Sequence, residues 1–391
     1  MPAYRLSFGL TGQPAWCPIP NKCLAVIWLG GVQMVNDDIL VVDAVAHAYN
    51  WTEENFVNRW SPGFSAAGYG LHCLVSPDDD HRLTEQEFIA DWQPDDLEEI
   101  FFLESDVDVI SYHSTPLHDY YKDGLVSLEK GLRMRERNPD RVVVYGQINP
   151  LDGNRALELM ETYVKEQGVN ALKLYPARYY EGRTLPERFD DPQTGIPLIE
   201  RALELGIRSI AVHKAIPFGP TRSSHYRTDD IDEVAALFPE MNFEVVHGGF
   251  AFTEEAAFLL GRFPNVWVNL EVTNSLIINN PRRFAEVLGT FLYWGGADRL
   301  MFASGCSFVH PQPIIDALLA FEMPEEMKAG YDYPDVTDEI KRKILGENFC
   351  RLHGLDVGAL KQKLGADKWA ERQRKEGRRA PWATIRNGAS A

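Results

Sequence analysis

Hydrophobic residues along this chain fall into short, nearly continuous runs separated by amphipathic stretches. The runs Ile39–Ala46, Val107–Tyr112, Arg141–Ile148, Ala171–Tyr175, Ser209–His213, Phe243–His247, Val266–Val272 and Leu300–Ala303 are rich in Val, Ile and Leu and do not strictly alternate. That pattern predicts strands buried on both faces. Leu125–Arg137, Asn154–Glu166, Pro197–Leu205 and Thr253–Arg262 instead space their apolar residues at helical intervals. Strands alternating with helices predict a parallel sheet wrapped by helices. Eight such units predict an α/β fold closed into a single (β/α)8 TIM-type barrel.

The pattern is interrupted in three places. Residues 1–37 carry no helical period and read as an irregular lead-in. Between Tyr49 and Leu97 lies an aromatic and acidic stretch with Trp51, Trp60, Trp92 and the triplet Asp78, Asp79, Asp80. It is longer than an ordinary connection, so residues 50–98 are expected to form a lid-like insertion in a barrel spanning 38–356. Residues 357–391 form a helical tail that turns basic at Arg372, Arg374, Lys375, Arg378 and Arg379. A solvated helix, or an arm packed on a neighbouring subunit, is the expectation there.

Charge and composition narrow the function. A net charge of −18 over 391 residues disfavours nucleic acid and anionic membranes as partners. A small-molecule substrate is expected, within a homo-oligomer or a hetero-oligomer with a related subunit. Five cysteines without regular spacing make no disulfide framework. The apolar stretch Cys23–Val35 is short and broken by Gly30, Gly31 and Gln33, so it fits neither a signal peptide nor a membrane span. The expected compartment is the cytoplasm. No glycine-rich dinucleotide or phosphate-loop motif is present.

Chemistry enters with three histidines that each end an apolar run: His47 in VVDAVAH, His213 in IRSIAVH and His247 in FEVVH. Barrels of this class place active sites at the C-terminal ends of their strands, and histidine is both a metal ligand and a proton carrier. Strand periodicity puts Asp43, Val45 and His47 on one face. Asp43 reads either as a metal ligand or as a structural acid bonded to backbone. Glu271, embedded in VWVNLEVTN, needs a metal or a paired partner if buried. Lys173 in ALKLYP has three possible uses: to neutralise Asp43 or Glu271, to anchor a substrate carboxylate, or, if carbamylated, to bridge two metals. The expected metal set is therefore Asp43, His47, His213, His247 and Glu271. Tyr112, His113 and Lys173 are the catalytic candidates. Tyr175, with Arg222 and His225 of the loop GPTRSSHYR, is expected to bind an anionic substrate. Gln147, Asn149, Lys214 and the thiol of Cys306 are lesser candidates.

With these residues in view, the chain resembles the amidohydrolase-related family over roughly residues 38–356. The likeness rests on VVDAVAH, the strand-end His213 and His247, GADRLMFASG leading into HPQP, and the closing ILGENFCRLHGL. The resemblance implies a barrel with a divalent metal at its mouth. Two positions depart from the family pattern. The first strand usually ends in His-x-His, and the first of these is Val45 here; the eighth usually presents an aspartate, where this chain has Ser304, Gly305, Cys306 and Ser307. With Asp43 spaced Asp-x-x-x-His before His47, the chain looks most like the dinuclear oxygenase branch. The expected activity is then a dinuclear non-haem iron (or iron–manganese) monooxygenase, with dioxygen as co-substrate and a small amino or carboxylic acid, or an acyl thioester, as substrate. The alternative is a metal-dependent hydrolase or decarboxylase with zinc or another divalent ion.

Overall fold

The computed structural model describes residues 39–388; the expected lead-in over residues 1–37 and the stretch Cys23–Val35 lie outside the described residues. Eight parallel strands run in chain order around a single sheet. They are β1 (Val42–Ala46), β2 (Val109–His113), β3 (Val142–Gln147), β4 (Ala171–Leu174), β5 (Ser209–His213), β6 (Asn242–Val246), β7 (Val266–Asn269) and β8 (Leu300–Met301). The ring closes because Ala44 N donates to Phe302 O (3.0 Å), Gly305 N to Val45 O (3.2 Å) and His47 N to Cys306 O (2.8 Å). Sequential parallel order requires a helical crossover after most strands. The helices Leu128–Arg137, Asn154–Lys165, Gly195–Glu204, Asp229–Leu237, Thr253–Arg262 and Pro281–Gly295 supply them. All lie within a few residues of the stretches their apolar spacing predicts, where the spacing predicts one.

One irregularity in β1 decides the site. A bulge between Asp43 and Ala46 shifts its register against β2. Leu40, Val42, Ala44 and Val45 consequently all pack into the inner cluster with Tyr145, Ala171 and Ala211, whereas Val41 and Ala46 pack into the outer one. A single extra residue in a strand reverses the side chains beyond it. Asp43 and His47 therefore do not share a face as simple alternation implies.

The insertion after β1 folds as helices Ser61–Val75, Glu85–Phe88 and Pro94–Leu103. Its aromatic residues form a cluster: Trp51 stacks near Phe88 (5.9 Å) and meets Tyr49 (4.7 Å) and Phe308 (5.6 Å). His72 is fully buried beneath it. Its Nε2 accepts from Leu83 N (2.8 Å), so Nδ1 carries the hydrogen that bonds Phe308 O (2.7 Å). This arrangement admits only a neutral ring.

Part of the basic tail straps the chain's own insertion, while Arg374, Lys375 and Arg378 stay exposed as a solvated helix would have them. Trp382 is fully buried against His310 (4.9 Å), Trp92 (5.9 Å) and His72 (6.1 Å), and its Nε1 donates to His81 O (2.8 Å). Thr384 N and Oγ1 donate to Glu104 (2.7 and 2.6 Å), and Arg379 pairs with Glu99 (2.6 Å). The helix-forming pattern was legible in sequence, but its acidic partners sit more than 270 positions away. No helix among the described residues is long and apolar enough to cross a membrane.

Two outcomes follow. Trp382→Ala empties an aromatic site in the tail seam and should cost about 3–5 kcal/mol, read as a lowered denaturant midpoint. Burial drives the His72 pKa from its ordinary 6.5 down to about 4. The unfolded chain thus binds a proton that the native ring refuses. The His72 share of stability is complete above about pH 6.5 and is lost as the pH falls through about 4; His72→Gln should flatten that part of a stability–pH profile.

Candidate metal centre

His47, His213 and His247 meet at the C-terminal end of the barrel, all at least 95% buried. Each is held by one ring nitrogen on a backbone carbonyl. His47 Nδ1 donates to His113 O (2.8 Å), His213 Nε2 to Ile216 O (2.7 Å) and His247 Nδ1 to Glu271 O (3.2 Å). The other nitrogens then face one another and a carboxylate. His213 Nδ1 lies 3.0 Å from His247 Nε2; His247 Nε2 lies 3.5 Å from Glu271 Oε2; His47 Nε2 lies 3.3 Å from Glu271 Oε1.

The protonation states make this arrangement informative. Burial pushes His247 down to about 4 and His213 well below its usual range, so both rings are neutral near pH 7. Each already uses its one hydrogen on a carbonyl, and no hydrogen remains for the 3.0 Å contact between them. Two nitrogen lone pairs and a carboxylate oxygen therefore converge. Burial alone would raise the Glu271 carboxyl, but His247, His47 and Lys173 outweigh it and hold it well below the usual carboxylate range. Ligating histidines characteristically tie their second nitrogen to a carbonyl or carboxylate in this way. Among the described residues, no group of three or more His, Cys, Asp or Glu side chains is placed so that it could hold a metal ion as it stands. The four donors form an open run.

Further groups border the run. Lys173 Nζ, fully buried, has no hydrogen-bond partner, nor do His113 Nδ1 and Glu271 Oε2. Burial lowers the Lys173 pKa to about 8, moderated by Glu271 and Glu244. Tyr175 stacks on His213 (4.4 Å) with its ring 5.8 Å from Lys173 Nζ. Tyr49 lies 4.9 Å from His47, and Tyr226 and Phe218 present their edges to His213 at 5.8 and 6.4 Å. The backbone is strained here: His247 and Val272 take φ of +61° and +60°. For a β-branched residue such as Val272 this is a genuine outlier, of the kind concentrated at functional sites.

Several expected site residues lie elsewhere. Asp43, displaced by the β1 bulge, gives both oxygens to the β1–β8 seam: Oδ1 accepts from Val45 N (3.2 Å) and Ser304 N (3.0 Å), and Oδ2 bonds Ser304 Oγ (2.5 Å). It braces the barrel and is not part of the histidine run. Tyr112 alternates with the inward His113 and so points outward, its hydroxyl donating to Ser127 O (2.8 Å) beneath the helix Leu128–Arg137. Arg222 is exposed and His225 half-buried; the same loop buries Tyr226 beside His213 instead, with the half-buried Phe218 just before it. Lys214 pairs with Asp230 (2.6 Å) in the core. Burial raises the Cys306 thiol well above its usual range, so it is no reactive thiolate. Sequence reasoning missed Tyr49, Phe218 and Tyr226; only Tyr49 carried a signal, two residues beyond His47.

The sequence profile of the amidohydrolase family matches residues 129–355, more than half of the chain. The chain belongs to the amidohydrolase family. No curated protein matches this amidohydrolase closely enough to count as a relative. Among solved structures, an uncharacterized TIM-barrel protein from Bordetella bronchiseptica superposes with a TM-score of 0.59 at 16% identity, covering 81% of this chain and 99% of that one. A 5-carboxyvanillate decarboxylase from Novosphingobium aromaticivorans, solved with bound manganese, gives 0.53 at 15% identity over 82% and 98% of the two chains. At such identities the likeness establishes the barrel fold.

The Asp43 assignment is testable by substitution. With its pKa raised by burial to about 7 despite bonds from Ser304 and Val45, an amide can replace the protonated acid. Asp43→Asn should stay near wild-type stability. Asp43→Ala strands buried donors at about 1–3 kcal/mol each, measured by denaturant unfolding, while metal stoichiometry is unchanged in both.

Proposed function

We propose that this amidohydrolase is a mononuclear metal-dependent decarboxylase acting on a small carboxylic acid. The observation that carries the reading is the convergence of neutral His213 and His247 nitrogens on each other and on Glu271, with no hydrogen between them. Imidazole nitrogen and carboxylate oxygen are the donor types that divalent transition metals take, and in this run each stands within 3.0, 3.3 or 3.5 Å of its neighbour. His47, His213, His247 and Glu271 would hold the ion, which when bound supplies a Lewis acid for substrate oxygen.

The chain's own groups favour decarboxylation over the other readings. Lys173 is a buried ammonium without a partner, suited to receive a carboxylate in a site that Tyr49, Tyr175, Phe218 and Tyr226 keep dry. A carboxylate stripped of water is destabilised toward loss of CO2. The carbon–carbon bond breaks, its electron pair stays on carbon, and Lys173 Nζ delivers a proton there, later regaining one from water. With a pKa of about 8, Lys173 is charged at neutral pH yet able to give the proton up. A hydrolase would need a base to activate water; Glu271 is too weakly basic, and the end of β8 offers no carboxylate. A dinuclear iron oxygenase would need a second set of ligands, and Asp43 is engaged with Ser304 and Val45.

Protein purified without chelator should carry about one transition-metal ion per chain, of the kinds that suit mixed imidazole and carboxylate ligands. His247→Ala and Glu271→Gln should lose it. Metal-loaded enzyme should release CO2 from some member of a panel of small aromatic and unsaturated acids, and Lys173→Met should keep the metal but slow release by ~10²–10⁴. Two irons per chain with substrate-linked oxygen uptake would replace this reading by the oxygenase, and a metal-free wild type would end it.

A further inference from the structure

Below the mouth, the barrel interior holds polar groups where barrels of this kind are mostly packed by branched apolar residues. Tyr145, Ala171, Ala211 and Val246 line the inner cluster, so strand alternation turns Lys173, Ser209 and Glu244 inward with them. All are buried. The Tyr145 hydroxyl donates to Glu244 Oε1, Ser209 Oγ donates to the same oxygen (2.6 Å), and His353 Nε2 lies 2.8 Å from the Tyr145 hydroxyl. A phenol has one hydrogen, and here the carboxylate takes it. His353 Nε2 is therefore the donor in its own contact.

His353 brings this chain to the surface. It ends the helix Asn348–His353, whose Phe349 and Cys350 pack with Leu40, Val42, Val109 and Trp267 near the starts of their strands, at the opposite end of the barrel from the histidine run. The residue is half-buried. Burial lowers its pKa to about 4, so near pH 7 the ring is neutral, its one hydrogen sits on Nε2, and Nδ1 keeps a lone pair.

Lys173 stands at the other end of the chain. It and Glu244 share one register level, each paired to Ala211 of β5. β4 and β6 are about 10 Å apart across that strand, and the small alanine leaves most of the interval to the two longer side chains. Glu244 Oε2 and Lys173 Nζ are both buried without a hydrogen-bond partner. Burial raises the Glu244 carboxyl, against the bonds from Ser209 and Tyr145 and the charge of Lys173. Burial lowers Lys173 to about 8, against Glu271 and Glu244. The two shifts bring the proton affinities of acid and amine toward each other, as a hand-over needs. His113, His213, His247 and Tyr175 also act on Lys173, but none of them continues the hydrogen-bonded chain to His353.

We propose that His353, Tyr145 and Glu244 form a proton route from solvent at the closed end of the barrel to Lys173. A proton taken at His353 Nδ1 releases the one on Nε2 to the Tyr145 oxygen, whose own hydrogen passes to Glu244. Glu244 then gives a proton to Lys173 Nζ when that nitrogen is a neutral amine, the flexible lysine stem carrying it between Glu244 and the mouth. One proton enters and one is delivered. Tyr145 gives as it receives, because burial and Glu244 push its phenol well above the usual range and disfavour a standing phenolate. Rotation of the Tyr145 hydroxyl and tautomer exchange at the half-exposed His353 ring reset the chain. Lys173 is thereby recharged without opening the aromatic-lined mouth. That catalytic meaning rests on the proposed decarboxylation; the route itself does not.

The test follows solvent exchange of the Lys173 ammonium hydrogens by NMR, on the full chain carrying lysine labelled with nitrogen-15 at Nζ, with Lys173→Met identifying the signal. Tyr145→Phe and His353→Ala should each slow that exchange about tenfold or more, and Ser209→Ala, which removes a bond to Glu244 outside the route, should leave it within about twofold. Added imidazole should restore exchange in His353→Ala. Should Tyr145→Phe not fold, His353→Ala and its rescue decide the matter. Unchanged exchange in His353→Ala, slowing that imidazole does not relieve, or equal slowing by Ser209→Ala would overturn the route. On whichever panel acid releases CO2, the Tyr145 and His353 variants should lower kcat about tenfold or more at unchanged KM, since neither touches substrate. If no acid is turned over, the decarboxylase reading falls and the exchange rates still decide the route. Wild-type kcat alongside slowed exchange would refute its part in turnover.

Discussion

The structure turns on negative potential gathered in a buried barrel mouth. His213 and His247 present bare nitrogens 3.0 Å apart, with the buried Glu271 carboxylate beside them. In a low-dielectric setting such repulsion is strong, and unpaired buried polar groups are costly. The rings cannot turn away, because backbone carbonyls of His113, Ile216 and Glu271 hold their other nitrogens. A positive charge is the natural complement. Lys173 supplies part of it at a distance, and a metal ion, under the proposed reading, supplies the rest.

Other features serve to keep that arrangement rigid. Asp43 clamps β1 to the end of β8 through Ser304, so the bulge in β1 and the turn around Gly305 stand in fixed relation. Trp51 and Phe88 of the insertion pack with Phe308 from the segment after β8, and the tail locks the insertion through Trp382 and Thr384. Strain at His247 and Val272 is sustained by these outer layers, which is how a few kcal/mol of unfavourable backbone persists in a marginally stable fold. At the far end of the barrel the π-helical turn Lys343–Glu347 frees Ile344 O to accept from Phe302 N (2.8 Å), and Gly346 packs directly against Leu40.

How much was legible beforehand can be judged residue by residue. His47, His213, His247, Glu271 and Lys173 were identifiable because polar residues at the ends of apolar runs are expensive unless they have a role. Tyr112 was misplaced because two adjacent residues at a strand end cannot both face inward, and His113 takes the inner side. Asp43 was misplaced because an i, i+4 spacing is reliable only in an unbroken strand, and a bulge leaves no mark in a run of small apolar residues. Arg222 and His225 were favoured for their charge, yet in that loop the apolar Phe218 and the aromatic Tyr226 gain more from burial beside His213. The tail's docking was invisible because salt links such as Arg379–Glu99 join residues at opposite ends of the barrel's chain path.

The one-dimensional pattern by itself determined the barrel, its strand order, most of its helices and the small set of titratable residues at its mouth, since periodicity and burial cost are local properties of the chain. Tertiary structure alone decided which of those residues meet. Facing is reset by one bulged residue in β1, and the Glu271 carboxylate lies so close to Gly305, beyond the end of β8, that a Cβ there would stand 3.0 Å from its Oε1. Both depend on contacts between segments far apart in sequence, where no local preference operates.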